Sequence, residues 1–160
     1  MKILIFTEGT ILMHPGGLNV TRGERVLQVE KSSPDIKEYN KYIAIGNAPQ
    51  KLKRWQSQGA EIIYLTSRTT EKEVEDIKQV LKRNNFPDGE LYFRKESEEC
   101  KDVAERVLPD ILIEDDCESI GGEPEMTYPH IRADIKSKII SIPVKEFGGI
   151  DHLPESINKL

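Results

Sequence analysis

Ile3-Leu4-Ile5-Phe6-Thr7-Glu8-Gly9-Thr10 is the stretch on which the reading of this chain turns. Four apolar residues follow one another without a polar interruption. A strand with one wet face alternates, whereas a strand covered on both faces does not. The run therefore predicts a buried strand over about 2–6, closed by a tight turn at Gly9. Three later strand-like runs also end in polar groups: Thr66-Ser67-Arg68, Arg94-Lys95 and Glu114-Asp115-Asp116. In an open parallel sheet, ligands bind at the carboxyl ends of the strands. The four stretches are expected to converge there, with the first strand near the middle of the sheet.

Outward from this stretch, strand and helix signals alternate. Residues 12–46 form a long detour that contains Pro15, Gly16, Gly17 and Gly23 and a possible strand at Arg25–Val29. Such a length without clear helix signals suggests a lid, and it reads as a small cap-like insertion beside the site. Asn47, Pro49 and Gln50 predict a helix start with a capping box, and Gly59 its stop. Residues 60–65 give a second strand. A helix over about 70–84 starts at the Thr70/Glu73 box, with Val74, Ile77 and Leu81 at helical spacing. Residues 90–93 give a third strand. Ser97 is expected to cap a helix that carries Cys100, Val103, Ala104, Val107 and Leu108 on one face and ends at Pro109. Strands over 110–113 and 138–144 and a short helix near 154–159 complete the order, while 121–137 shows no periodicity. The fold class expected is α/β: a three-layer, Rossmann-like sandwich around a five-stranded, mostly parallel sheet, in one domain spanning 1–160.

Composition limits the function classes. The net charge is −5, which argues against a general nucleic-acid binder, since those present a basic face. Apolar runs stop at four or five residues, against roughly 20 needed to span a bilayer, so no membrane association is expected. The amino terminus lacks the pattern of a signal peptide, which points to the cytoplasm. Cys100 and Cys117 form neither a ligand pair nor a disulfide framework, and His14, His130 and His152 are scattered.

The strand ends carry the candidate chemistry. Glu114, Asp115, Asp116, Glu118, Glu123 and Glu125 crowd twelve residues. Their mutual repulsion falls if a cation sits among them, and hard oxygen donors without His or Cys favour Mg²⁺. The other reading is a solvated acidic loop. Thr66 and Ser67 offer hydroxyls to a phosphate, and Arg68 offers a planar fork of donors, although the same residues also suit a helix entry. Lys101 is placed either to reach a phosphate or to sit in solvent.

Together these stretches resemble the haloacid dehalogenase-like (HAD) superfamily of Mg²⁺-dependent phosphatases and their relatives. Residues 3–10 resemble its first strand motif, which ends D-x-D-G-T. Ile62–Thr66 resembles the second, Lys101 the third and Asp115-Asp116 the fourth. The resemblance spans most of 1–116 plus the last strand. It implies Glu8, Asp115 and Asp116 as metal ligands. It also implies Glu8, Thr66, Lys101 and Asp115 as the catalytic set, with Gly9, Thr10, Thr66, Ser67, Arg68 and Lys101 around a phosphate. The departure lies in the first motif. Aligned on Gly9-Thr10, the position of the family's nucleophilic Asp holds Phe6, and Glu8 holds that of the acid/base Asp. A shift of one residue puts Thr7 at the nucleophile and Gly9 at the second Asp. The expected function is a divergent, Mg²⁺-dependent phosphohydrolase acting on a small phosphorylated compound without the aspartate nucleophile. The alternative is a non-catalytic domain that binds a phosphorylated metabolite or a protein partner. The oligomeric state is open.

Overall fold

The computed structural model describes residues 1–160. In chain order the elements are β1 (Lys2–Phe6), β2 (Leu12–Met13), α1 (Arg22–Glu30), β3 (Ile43–Ala44), α2 (Ala48–Ser57) and β4 (Glu61–Leu65). These are followed by α3 (Glu71–Arg83), β5 (Glu90–Tyr92), α4 (Cys100–Val107), β6 (Ile111–Asp115), α5 (Ala133–Lys136) and β7 (Ile140–Val144). Five strands pair in the order β5-β4-β1-β6-β7, and every pairing is parallel. β1 is central, so Phe6 lies beside Leu65 and Ile5 beside Ile113. β2 and β3 make a separate antiparallel pair.

The two-residue period of a strand sends neighbours to opposite faces. Ile3 and Ile5 join a core with Leu52, Trp55, Ile62, Tyr64 and Ile77, beneath α2 and α3. Leu4 joins a second core with Ile63, Val103, Val107, Leu112 and Ile135, beneath α4 and α5. Both faces of the sheet are covered, which gives the three layers. No helix is long and apolar enough to cross a membrane.

Several expectations are corrected. Residues 25–29 form part of a helix, not a strand. Thr21 Oγ1 accepts from the Glu24 amide at 3.3 Å, and Glu24 Oε2 accepts from the Thr21 amide at 2.8 Å. This reciprocal box satisfies amides that a helix start leaves free. Val26 and Val29 then share the inner face and meet Met13, Ile45 and Phe147 in a small third core. At α2, Asn47 makes no side-chain cap; its amide instead donates to Asp151 Oδ1 at 2.9 Å. α4 is capped by Glu99 and not by Ser97, which takes a positive φ of 69°. Residues 121–137 hold two single 3₁₀ turns (Glu123–Glu125 and Tyr128–His130) and the one-turn α5, too short to show periodicity. The carboxy-terminal helix is likewise a single 3₁₀ turn, Ile157–Lys159.

Candidate functional site

The carboxyl ends of β1, β4 and β6 meet below the 12–46 insertion, around a cavity of about 220 Å³. Glu8, Gly9, Ser67, Arg68, Asp115 and Glu146 supply much of its polar wall. Phe6, Val29, Ile36, Tyr39, Tyr42, Ile120 and Phe147 supply most of the apolar one. Val29, Ile36, Tyr39 and Tyr42 come from the insertion, which therefore roofs the site.

Glu8 is the hub. The Thr66 hydroxyl donates to its Oε1 at 2.7 Å, and the Thr7 hydroxyl donates to its Oε2. Arg68 Nε lies 3.1 Å from Oε1 as an ion pair, although off the line of a hydrogen bond. Thr7 and Thr66 are fully buried and line no part of the cavity, so Glu8 covers their hydroxyls. Arg68 is fixed on its other sides. Its guanidinium lies 4.5 Å from the Tyr39 ring centroid, bonds the Tyr39 hydroxyl, and donates from Nη2 to Ser67 Oγ at 2.9 Å. Stacking on an aromatic face with donors left at the edge suits recognition of an oxyanion.

Asp115 stands at the end of β6 and is 7% exposed. It accepts from Thr10 Oγ1 at 2.9 Å and from the Cys117 amide at 3.0 Å. Burial, with the charge of Glu146 added, pushes its carboxyl up to about 7. The approach of Asp115 to β1 requires a glycine: a Cβ on Gly9 would lie 2.7 Å from Asp115 Oδ2, and Gly9 has a φ of +82°. Thr10 thus positions Asp115 from behind the wall. Glu146 accepts from the amide and hydroxyl of Ser119, both at 2.7 Å, and burial pushes its carboxyl up. Burial, followed by the nearby carboxylates, also raises the Cys117 thiol, which argues against a thiolate nucleophile.

Of the residues singled out in the sequence, the structure brings together Glu8, Gly9, Thr10, Thr66, Ser67, Arg68 and Asp115. It does not bring Asp116 and Lys101 to the same wall. Asp116 accepts from Lys145 Nζ at 2.8 Å and from the Glu146 amide at 3.0 Å. Burial opposes its charge, but these two partners hold its carboxyl below the usual range. Lys101 Nζ lies 3.2 Å from Asp102 and 3.4 Å from Glu99, and lines a neighbouring depression. Sequence reasoning missed Tyr39, Tyr42, Glu146 and Phe147. Glu146 had a signal: β7 ends at the same edge as the other strands, two residues before it. A larger groove, about 860 Å³ along α3 and 85–91, shares no residue with the site.

No protein-family model matches the sequence, and no curated protein sequence matches it. Solved structures do match the fold. A class C acid phosphatase from Bacillus anthracis with tungstate bound superposes at TM-score 0.56 and 15% identity, over 92% of this chain and 68% of that one. A second structure of the class C acid phosphatase from Bacillus anthracis gives TM-score 0.57 at 15% identity, over 92% and 67%. A chain of the Pnkp1/Rnl/Hen1 RNA repair complex gives TM-score 0.54 at 12% identity, over 90% of this chain and 43% of that one. The fold is therefore one that these solved structures share, in agreement with the fold that the resemblance of the sequence motifs implied.

Mg²⁺ would need several oxygen donors around one point. Here Glu8 is paired with Arg68, Asp115 with Thr10 and an amide, and Asp116 with Lys145. No three His, Cys, Asp or Glu side chains gather into a cation site. As arranged, this donor set does not fit the ion, and no chemical step is assigned to it.

Proposed function

We propose that the cavity binds the phosphate group of a small phosphorylated compound and hydrolyses its ester by direct attack of water. The observation that carries the reading is the convergence of Arg68 and Thr66 on an oxyanion, the Glu8 carboxylate. Donors arranged around a carboxylate suit a phosphate oxygen as well. In the proposed reaction Arg68 and Ser67 hold the phosphate oxygens. Thr66, reached once Glu8 swings aside, completes the donor set. The P–O bond to water forms as the P–O bond to the alcohol breaks. Glu8 takes a proton from the attacking water, and Asp115 supplies one to the departing alcohol oxygen. A carboxyl raised to about 7 suits that role, because it is partly protonated at neutral pH. The apolar wall receives the organic part of the ester.

The second reading is a domain that binds the same compound without turnover. Phe6 favours it: a residue without nucleophilic atoms lines the cavity at the end of β1. Steady-state assays on phosphate monoesters, with Mg²⁺ and with EDTA, separate the two. Hydrolysis supports the first reading if Asp115→Asn and Glu8→Gln each lower kcat by about a hundredfold or more. Binding of phosphate with no turnover in either condition supports the second.

A further inference from the structure

Beside the main cavity lies a depression of about 330 Å³, lined by Arg94, Lys101, His130, Glu99 and Glu125 among others. The two spaces share Cys100, Glu125 and Thr127 as a common wall. One residue joins their cations. Ser67 takes Arg68 Nη2 on its hydroxyl at 2.9 Å and Arg94 Nη2 on its carbonyl at 3.2 Å. Arg68 faces the cavity and Arg94 the depression.

Arg94 has unspent capacity. It forms no ion pair, and its Nε is buried without a hydrogen-bond partner, although a buried donor left unmade is costly. Its neighbours are otherwise engaged. Lys101 is shared between Glu99 and Asp102, and Glu99 is largely exposed. His130 Nε2 lies 2.7 Å from Pro124 O and so must donate there, which leaves Nδ1 of the neutral ring as an acceptor for a ligand hydroxyl. Glu125 is the one carboxylate on the shared wall, placed to accept from a hydroxyl on a linker between two anionic groups.

We propose that the depression is a second anion subsite centred on Arg94, and that the ligand of this site carries two anionic groups on a short hydroxylated linker, as a bisphosphate does. This rests on the phosphate-binding reading of the main cavity. The general field of a chain with net charge −5 opposes a more highly charged ligand, so a preference for one must come from local groups.

Titration calorimetry tests this with propyl phosphate against 1,3-propanediol bisphosphate and glycerol 1,3-bisphosphate. The bisphosphates should bind about tenfold or more tighter than propyl phosphate, well beyond the statistical advantage of two equal ends, about twofold. Arg94→Gln should erase that advantage and leave propyl phosphate binding unchanged. Lys101→Gln, whose ammonium bonds only side chains near the surface, should reduce it in a chain that folds normally. Arg68→Gln should weaken every probe. Equal affinities of the mono- and bisphosphates, or an advantage that survives Arg94→Gln, would overturn the second subsite while leaving the first. Failure of all the probes to bind would overturn the phosphate reading and the subsite with it.

Discussion

Arg68 faces an internal carboxylate. Any incoming phosphate must compete with Glu8, because both offer oxygens to the same guanidinium. Glu8→Gln removes the charge and keeps an acceptor for the Thr66 hydroxyl. Phosphate should therefore bind at least about fivefold tighter to that variant while turnover falls, a split that a merely structural role would not produce. Asp115 makes a prediction about pH. Its carboxyl is raised from the ordinary Asp value to about 7, so folding favours the protonated form. The stability this contributes is full below about pH 4 and is lost as the pH climbs through about 7. Asp115→Asn keeps one acceptor, its carbonyl oxygen for the Cys117 amide, and turns a donating NH2 to the Thr10 hydroxyl, which can accept, but it cannot ionise. In urea melts with EDTA present, the variant should gain about 2–4 kcal/mol over the wild type at pH 8 and little at pH 4. An equal difference at both values would remove the burial argument.

At the scale of elements, the roof of the cavity depends on α1. The Thr21/Glu24 box starts it, and Arg25 fastens it by donating to Gly17 O at 2.9 Å and Phe147 O at 2.8 Å. Thr21→Ala should cost about 1 kcal/mol, seen as faster amide exchange in α1 with β1 and β6 unchanged. The elements also show what local sequence carries. β1, β4 and β6 were readable because burial on both faces leaves uninterrupted apolar runs. α3 was readable because Thr70 and Glu73 act within one turn; the Thr70 hydroxyl accepts from the Glu73 amide at 3.3 Å. α1 carried the same kind of box, but its β-branched Val26 and Val29 imitated a strand. The uncapped Asn47 was not readable, since its amide partner Asp151 is 104 residues away. The partners of Lys101 were not readable for a related reason. Glu99 starts α4 two residues later than Ser97 would, so the lysine lies in the first turn and meets Glu99 and Asp102. The strand ends located the candidate site. Which of their side chains pair with one another was settled by contacts across the sheet.

For the whole molecule, the parallel sheet brings residues from Phe6 to Phe147 to one edge, and the cores on either face hold that edge in place. Trp55, the only tryptophan, is fully buried in the larger core, with its Nε1 donating to Pro154 O at 3.0 Å. Trp55→Ala should cost about 3–5 kcal/mol in urea melts followed by circular dichroism. The same bond ties the carboxy-terminal segment to α2, so that segment should exchange its amides faster in the variant. The measurement closest to the central claim is calorimetric titration of inorganic phosphate into the wild type, Arg68→Gln and Glu8→Gln. Binding by the wild type, its loss in Arg68→Gln and its strengthening in Glu8→Gln are the predicted results. Absence of binding in both the wild type and Glu8→Gln, or unchanged binding in Arg68→Gln, would contradict the assignment of this cavity to phosphate.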